Sequence, residues 1–146
     1  MDQDWTTAVA TLRVAGQLVQ GIQRGMRARG FADLRPAHGF AFVRLSHGPA
    51  TTVQLAEHLG VTKQAASEMV RHLTEGGYLR RRPDPSDRRQ VLLELTAAGR
   101  TATDAAAAAA AETVAAWRTK LPADQLDQLS AALHALAEPG PLRPVW

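Results

Sequence analysis

A chain of 146 residues is long enough to bury one ordinary core without disulfides or metal. A composition of 45% hydrophobic and 21% charged residues describes a soluble globular chain and excludes a disordered one. The net charge is +3, and the absence of cysteine excludes thiolate catalysis, cysteine-ligated zinc and disulfide redox switching.

The first residues, Met1-Asp2-Gln3-Asp4, are acidic where a secretory signal carries a basic patch and an apolar core. No apolar run approaches the roughly 18 residues a membrane span needs, so the expectation is a cytoplasmic protein with no membrane partner. Val9, Leu12, Ala15, Val19, Ile22 and Met26 recur at helical spacing and predict a helix over 8–27, ended by Gly30. Arg35-Pro36 opens a second helix that carries Phe40, Val43 and Leu45 and stops at Gly48-Pro49. Two short helices follow almost back to back. Thr51 or Thr52 caps one that runs to Gly60; Thr62 caps the other, which runs to about Glu75 and ends at Gly76-Gly77.

The period then changes. Residues 78–82 and 90–95 read as short strands, with Val91, Leu93 and Leu95 alternating with polar neighbours. The link Pro83-Asp84-Pro85-Ser86-Asp87-Arg88-Arg89 is turn chemistry, so the pair forms a β-hairpin with a basic tip. Thr96 caps a long helix reaching about Lys120, through an alanine run at 105–111 that favours helix. Pro122 begins a last helix with Leu126, Leu129, Leu133 and Leu136. The proline-rich tail 139–146 cannot extend that helix, and is either loose or docked through Trp146.

Residues 52–73 fit a helix-turn-helix. Leu55, Ala56 and Leu59 face inward on its first helix, Gly60 permits the tight turn, Val61 plugs it, and Ala66, Met69 and Val70 face inward on the second. Thr62, Lys63, Gln64, Ser67, Glu68 and Arg71 remain outward. Such a set suits a major groove: Gln pairs with adenine, Arg or Lys with guanine, and Ser or Thr with base edges or phosphates. Thr62, Lys63, Gln64 and Ser67 lie at the end expected nearest the bases, and Arg71 reaches base or phosphate. Between 62 and 89 seven basic residues face four acidic ones, which accounts for the whole net charge. Arg88 and Arg89 at the hairpin tip suit a minor groove, with Arg80, Arg81 and Arg82 along the flank. Asp87 is expected to orient a neighbouring arginine through a bidentate pair.

The segment Leu55-Ala56-Glu57-His58-Leu59-Gly60-Val61-Thr62-Lys63-Gln64-Ala65 belongs to this pattern. So does the wing Asp84-Pro85-Ser86-Asp87-Arg88-Arg89, followed by Val91 to Leu95 and Thr96-Ala97-Ala98-Gly99-Arg100. Together they resemble the MarR (multiple antibiotic resistance regulator) family of winged-helix transcription factors. The resemblance implies a mainly α fold with a small β-hairpin wing: a winged helix-turn-helix lobe (36–96) flanked by N- and C-terminal dimerisation helices (1–35 and 97–146). It matches Asp87 and Arg89 to the family's Asp-x-Arg wing pair. It also implies a homodimeric regulator, taken here as a repressor, on a pseudo-palindromic site in double-stranded DNA. Half-sites would lie about one helical turn, roughly 34 Å, apart. The apolar helices at both chain ends support a dimer independently. By the same resemblance a small aromatic effector would release DNA, with Gln17, His38, Phe42 and Arg44 as candidate contacts.

No cofactor or metal is expected. His38, His47, His58, His72 and His134 are scattered, with no His-x-x-x-His or Gly-x-Ser-x-Gly spacing and no phosphate-cradling loop, which argues against an enzyme. His58 and His72 alone would make a poor metal site. A winged-helix protein-interaction module without DNA binding is the other reading. The outward set of Lys63, Gln64, Arg71, Arg88 and Arg89 weighs against it.

Overall fold

A computed structural model describes residues 2–141. Among them the order is α1 (Gln3–Ala28), α2 (Pro36–Ser46), α3 (Thr52–Leu59), α4 (Lys63–Glu75), β1 (Leu79–Pro83), β2 (Val91–Leu95), α5 (Ala97–Ala115), a 3-10 turn (Ala116–Thr119) and α6 (Ala123–Leu136). No helix in this range is long and apolar enough to cross a membrane. Trp146 and the rest of 142–146 lie outside the described residues. The fold is mainly helical with one two-stranded hairpin, a winged helix-turn-helix. The chain divides into two compact units, with joints after Ala32 and after Ala105.

The first unit holds α1, the second half of α5 and α6. Helix α1 begins five residues before the periodicity predicts, because Asp2 caps it and the Thr6 and Thr7 hydroxyls bond back to the Gln3 carbonyl at 2.8 and 2.9 Å. Gly21 and Gly25 let α5 approach closely. A Cβ on the first would overlap Thr113, and on the second Ala109. Arg29 closes the contact, pairing with Glu112 and donating to the Gly25 carbonyl at 3.0 Å. Helix α5 ends short of 120, tightening into the 3-10 turn, where Lys120 and Leu121 both donate to the Trp117 carbonyl. Pro122 disfavours helical geometry at Leu121, so the turn is not continued into a longer helix. Trp5, Leu12 and Val14 on α1, and Leu133 and Leu136 on α6, stay exposed, at 42–79% of their surface.

The second unit packs α2, α3 and α4 against the hairpin around Phe42, Leu55, Val70, Leu73 and Leu93, each under 2% or so exposed. Strand β1 is shifted by one residue from the predicted range, and β2 begins one residue later than predicted and ends at Leu95 as predicted. The register sets Leu79 opposite Leu95, Arg80 opposite Glu94, Arg81 opposite Leu93, Arg82 opposite Leu92 and Pro83 opposite Val91. Ala50 adds a bridge to the other edge of β2, exchanging bonds of 3.1 and 2.8 Å with Leu93. Strand β1 thus forms the outer edge and packs against α4.

Tyr78 ties this unit together. Its hydroxyl donates to both Asp33 oxygens at 3.0 Å, its N–H to the Leu73 carbonyl at 2.9 Å, and its carbonyl accepts from Thr96 N–H at 3.0 Å. Burial, then Asp33, pushes the phenol above its ordinary range. Thr96 caps α5 as predicted, accepting from Gly99 N–H at 3.1 Å. Gly99 lies so close to the Tyr78 carbonyl that no Cβ fits.

Candidate nucleic-acid interface

The two short helices form because their ends are satisfied locally. Thr51 and Gln54 exchange bonds at the start of α3, 3.2 and 2.9 Å long. Gly60 then takes left-handed geometry (φ 66°, ψ 33°), and Val61 N–H returns to the Ala56 carbonyl at 3.1 Å. Thr62 caps α4, its hydroxyl oxygen accepting from Ala65 N–H at 3.1 Å. That bond uses a lone pair and leaves the hydroxyl hydrogen to donate outward. Ala66, Val70 and Leu73 are buried and Met69 is half-buried, so Thr62, Lys63, Gln64, Ser67, Glu68 and Arg71 project together from one exposed face. Among the described residues Glu68 pairs with neither Arg71 nor Lys63.

The hairpin tip is ordered by its acids. Asp84 accepts from Ser86 N–H at 2.9 Å and from the Ser86 hydroxyl at 2.7 Å, bonds that hold its carboxyl below the usual range. Asp87 accepts from the backbone N–H of Arg89 at 3.0 Å and does not pair with a guanidinium, which corrects the expected bidentate contact. The physical reason is reach: a short Asp side chain closes on the N–H two residues ahead. Arg88 and Arg89 are left exposed at the tip, beside a turn fixed by two Asx bonds.

Glu94 was not singled out by sequence, although it stands opposite Arg80 in the hairpin register. Its Oε1 accepts from Arg80 Nε at 2.9 Å and is ion-paired with Arg82 Nε at 3.1 Å. Arg82, expected at the DNA surface, is therefore held by this carboxylate on the sheet face it shares with Arg80 and Glu94.

The effector candidates have four different surroundings. Gln17 is exposed on α1. Phe42 is 2% exposed and packs on Tyr78 with ring centroids 5.9 Å apart, as core. Arg44 donates to the Gly48 carbonyl at 3.2 Å. His38 accepts from Arg35 N–H at its Nδ1, 2.9 Å away, and stacks on His72 at 5.0 Å; His72 is thus partnered by His38. Burial first, then His72 and Arg35, lowers the His38 pKa from 6.5 to about 4, against a smaller opposing pull from Asp33. A hollow of about 390 Å³ lies between the end of α2, β2 and the start of α5, lined by residues including Leu45, Pro49, Glu94, Arg100 and Asp104. None of the four candidates lines it.

Residues 32–90 match the model of the MarR family. No curated protein matches the chain. Among solved structures, RV1404 from Mycobacterium tuberculosis is similar at 25% identity and a TM-score of 0.76, over 95% of this chain and 97% of that one. Wild-type MarR from E. coli is similar at 20% identity and 0.73, over 90% and 96%. A mutant S. aureus MepR bound to an oligodeoxyribonucleotide is similar at 18% identity and 0.68, over 89% and 94%. The family-model match spans the helix-turn-helix and β1, and the fold is shared with these solved structures along nearly the whole chain.

Proposed function

We propose that this protein is a sequence-specific, double-stranded DNA-binding transcriptional regulator that acts as a homodimer, represses from a pseudo-palindromic site and is released by a small effector. One observation carries the reading: the exposed face of α4, headed by the Thr62 cap, presents Lys63, Gln64, Ser67 and Arg71 beside a hairpin whose tip exposes Arg88 and Arg89. An N-capped helix with a polar, donor-rich outer face is what a major groove accepts, and paired tip arginines suit the adjoining minor groove. The oligonucleotide bound by MepR, a protein of the same fold, supports it. The dimer rests on the exposed Trp5, Leu12, Leu133 and Leu136, an apolar load a lone protomer does not carry comfortably.

The test is selection from a random duplex library with the purified protein, followed by a salt titration on the enriched site. A two-fold symmetric site is expected, with log affinity falling by about 0.9 per phosphate contact against log salt. No enrichment over random duplex would sink the reading in favour of a protein-interaction module. Sedimentation of the wild type and of Leu136→Glu checks the dimer, which the charge should dissociate.

A further inference from the structure

Arg80, Arg81 and Arg82 follow one another on β1, yet the hairpin treats them differently. Cross-strand partners share a sheet face and neighbours along a strand alternate. Leu79, Leu93 and Leu95 are 1–6% exposed and face the helices, so Arg81, opposite Leu93, stands on that same side. It does so on the edge strand against which α4 packs. Arg80 and Arg82 stand on the other side, with Glu94. There one carboxylate oxygen takes the Nε of both, at 2.9 and 3.1 Å. Among the described residues Arg81, which is exposed, has no ion pair and no side-chain hydrogen bond.

We infer that Glu94 sorts the wing arginines. It withdraws Arg80 and Arg82 into an ion triad and leaves Arg81 as the strand's phosphate contact beside α4. The inference rests on the DNA-binding reading above and adds a residue to it. A guanidinium bridged to a carboxylate has part of its charge cancelled locally, and releases fewer counterions on meeting a phosphate than an unpaired one. The order of effect along the strand is therefore Arg81 first, with Arg80 and Arg82 well behind.

Affinity for the enriched duplex is measured from 0.05 to 0.3 M salt for the wild type, Arg80→Ala, Arg81→Ala, Arg82→Ala and Arg81→Lys. Arg81→Ala is expected to flatten the log–log slope by about 0.9 and to weaken binding about fivefold at 0.15 M. Arg81→Lys should keep the wild-type slope, because a phosphate contact asks only for the charge. Arg80→Ala and Arg82→Ala should each change the slope by less than half as much. An Arg82→Ala effect equal to or larger than that of Arg81→Ala, or an unchanged slope in Arg81→Ala, overturns the inference while the wild type still binds. A wild type with no salt-dependent duplex binding removes the DNA reading itself, and this inference with it.

Discussion

Gly99→Ala inverts the usual expectation for a glycine inside a helix. In an open helical position alanine is favoured over glycine by about 0.8–1 kcal/mol. At position 99 the new methyl group would overlap the carbonyl oxygen of Tyr78. That oxygen is backbone, and it is pinned: Thr96 N–H donates to it at 3.0 Å, while the Tyr78 N–H and hydroxyl hold the same residue to Leu73 and Asp33. Relief requires β1 and the start of α5 to separate. Overpacking of this kind costs about 1–3 kcal/mol, and a weakened Thr96 bond adds about 1 more. The helix propensity gained offsets only part of this, leaving a net destabilisation of about 1–3 kcal/mol. Gly39→Ala in α2 is the control, since nothing lies within 4 Å of its added Cβ; it should leave stability unchanged or raise it by up to about 1 kcal/mol. Urea unfolding at one fixed protein concentration reads both as midpoint shifts at constant slope. A Gly99→Ala protein at least as stable as the wild type would refute the close-packing argument.

Thr62→Ala removes the cap of α4 and should cost about 1 kcal/mol in the same unfolding assay, with Thr62→Ser restoring most of it. Acid should destabilise the second unit through His38. Its folded pKa is depressed from 6.5 to about 4, so the unfolded chain binds more protons between those values. The stabilisation is complete above about pH 6.5 and is lost as pH falls through about 4. Allowing for solvent screening of a half-buried ring, the loss is about 1–2 kcal/mol, and His38→Gln should flatten the stability–pH curve across that window. In binding, Gln64→Ala should cost about 1–3 kcal/mol at particular base pairs, whereas Arg89→Ala should weaken all duplexes alike. Equal losses on every sequence for both variants would refute the division between reading and anchoring residues.

The parts of the fold legible in the sequence are those fixed by local chemistry. Thr62 before α4, Gly60 in the turn and Thr96 before α5 each satisfy backbone groups within a few residues, and each stands where the sequence puts it. Boundaries moved where the deciding interaction was less conspicuous: Asp2 caps α1 early, and the end of α5 tightens into a 3-10 turn at Ala116. What sequence could not supply was register and tertiary contact. Period-2 alternation separates Arg81 from Arg80 and Arg82, but which side faces the helices depends on pairing Leu93 with Arg81, a register that the strand ranges alone do not specify. The stack of His38 on His72 joins positions 34 residues apart by number, and no local pattern announces it.

The Glu94 bridge also bears on how a protein with a net charge of only +3 would discriminate between sites. Phosphate contacts add the same free energy on any duplex, so each one raises specific and non-specific affinity together and leaves their ratio alone. On the proposed reading the ratio is set on α4, by Gln64 and its neighbours, and withdrawing two arginines from the backbone would lower occupancy of random DNA without touching that helix. Glu94→Gln tests this separately from the strand variants, because it removes the anion and frees Arg80 and Arg82 together. Affinity should rise for the enriched site and for random duplex by the same factor, up to about fivefold at 0.15 M salt for each phosphate newly engaged. A fall in affinity would mean that the bridge positions these arginines on DNA. A rise confined to the enriched site would mean that they read sequence, and either result would break the separation of wing charge from helix readout.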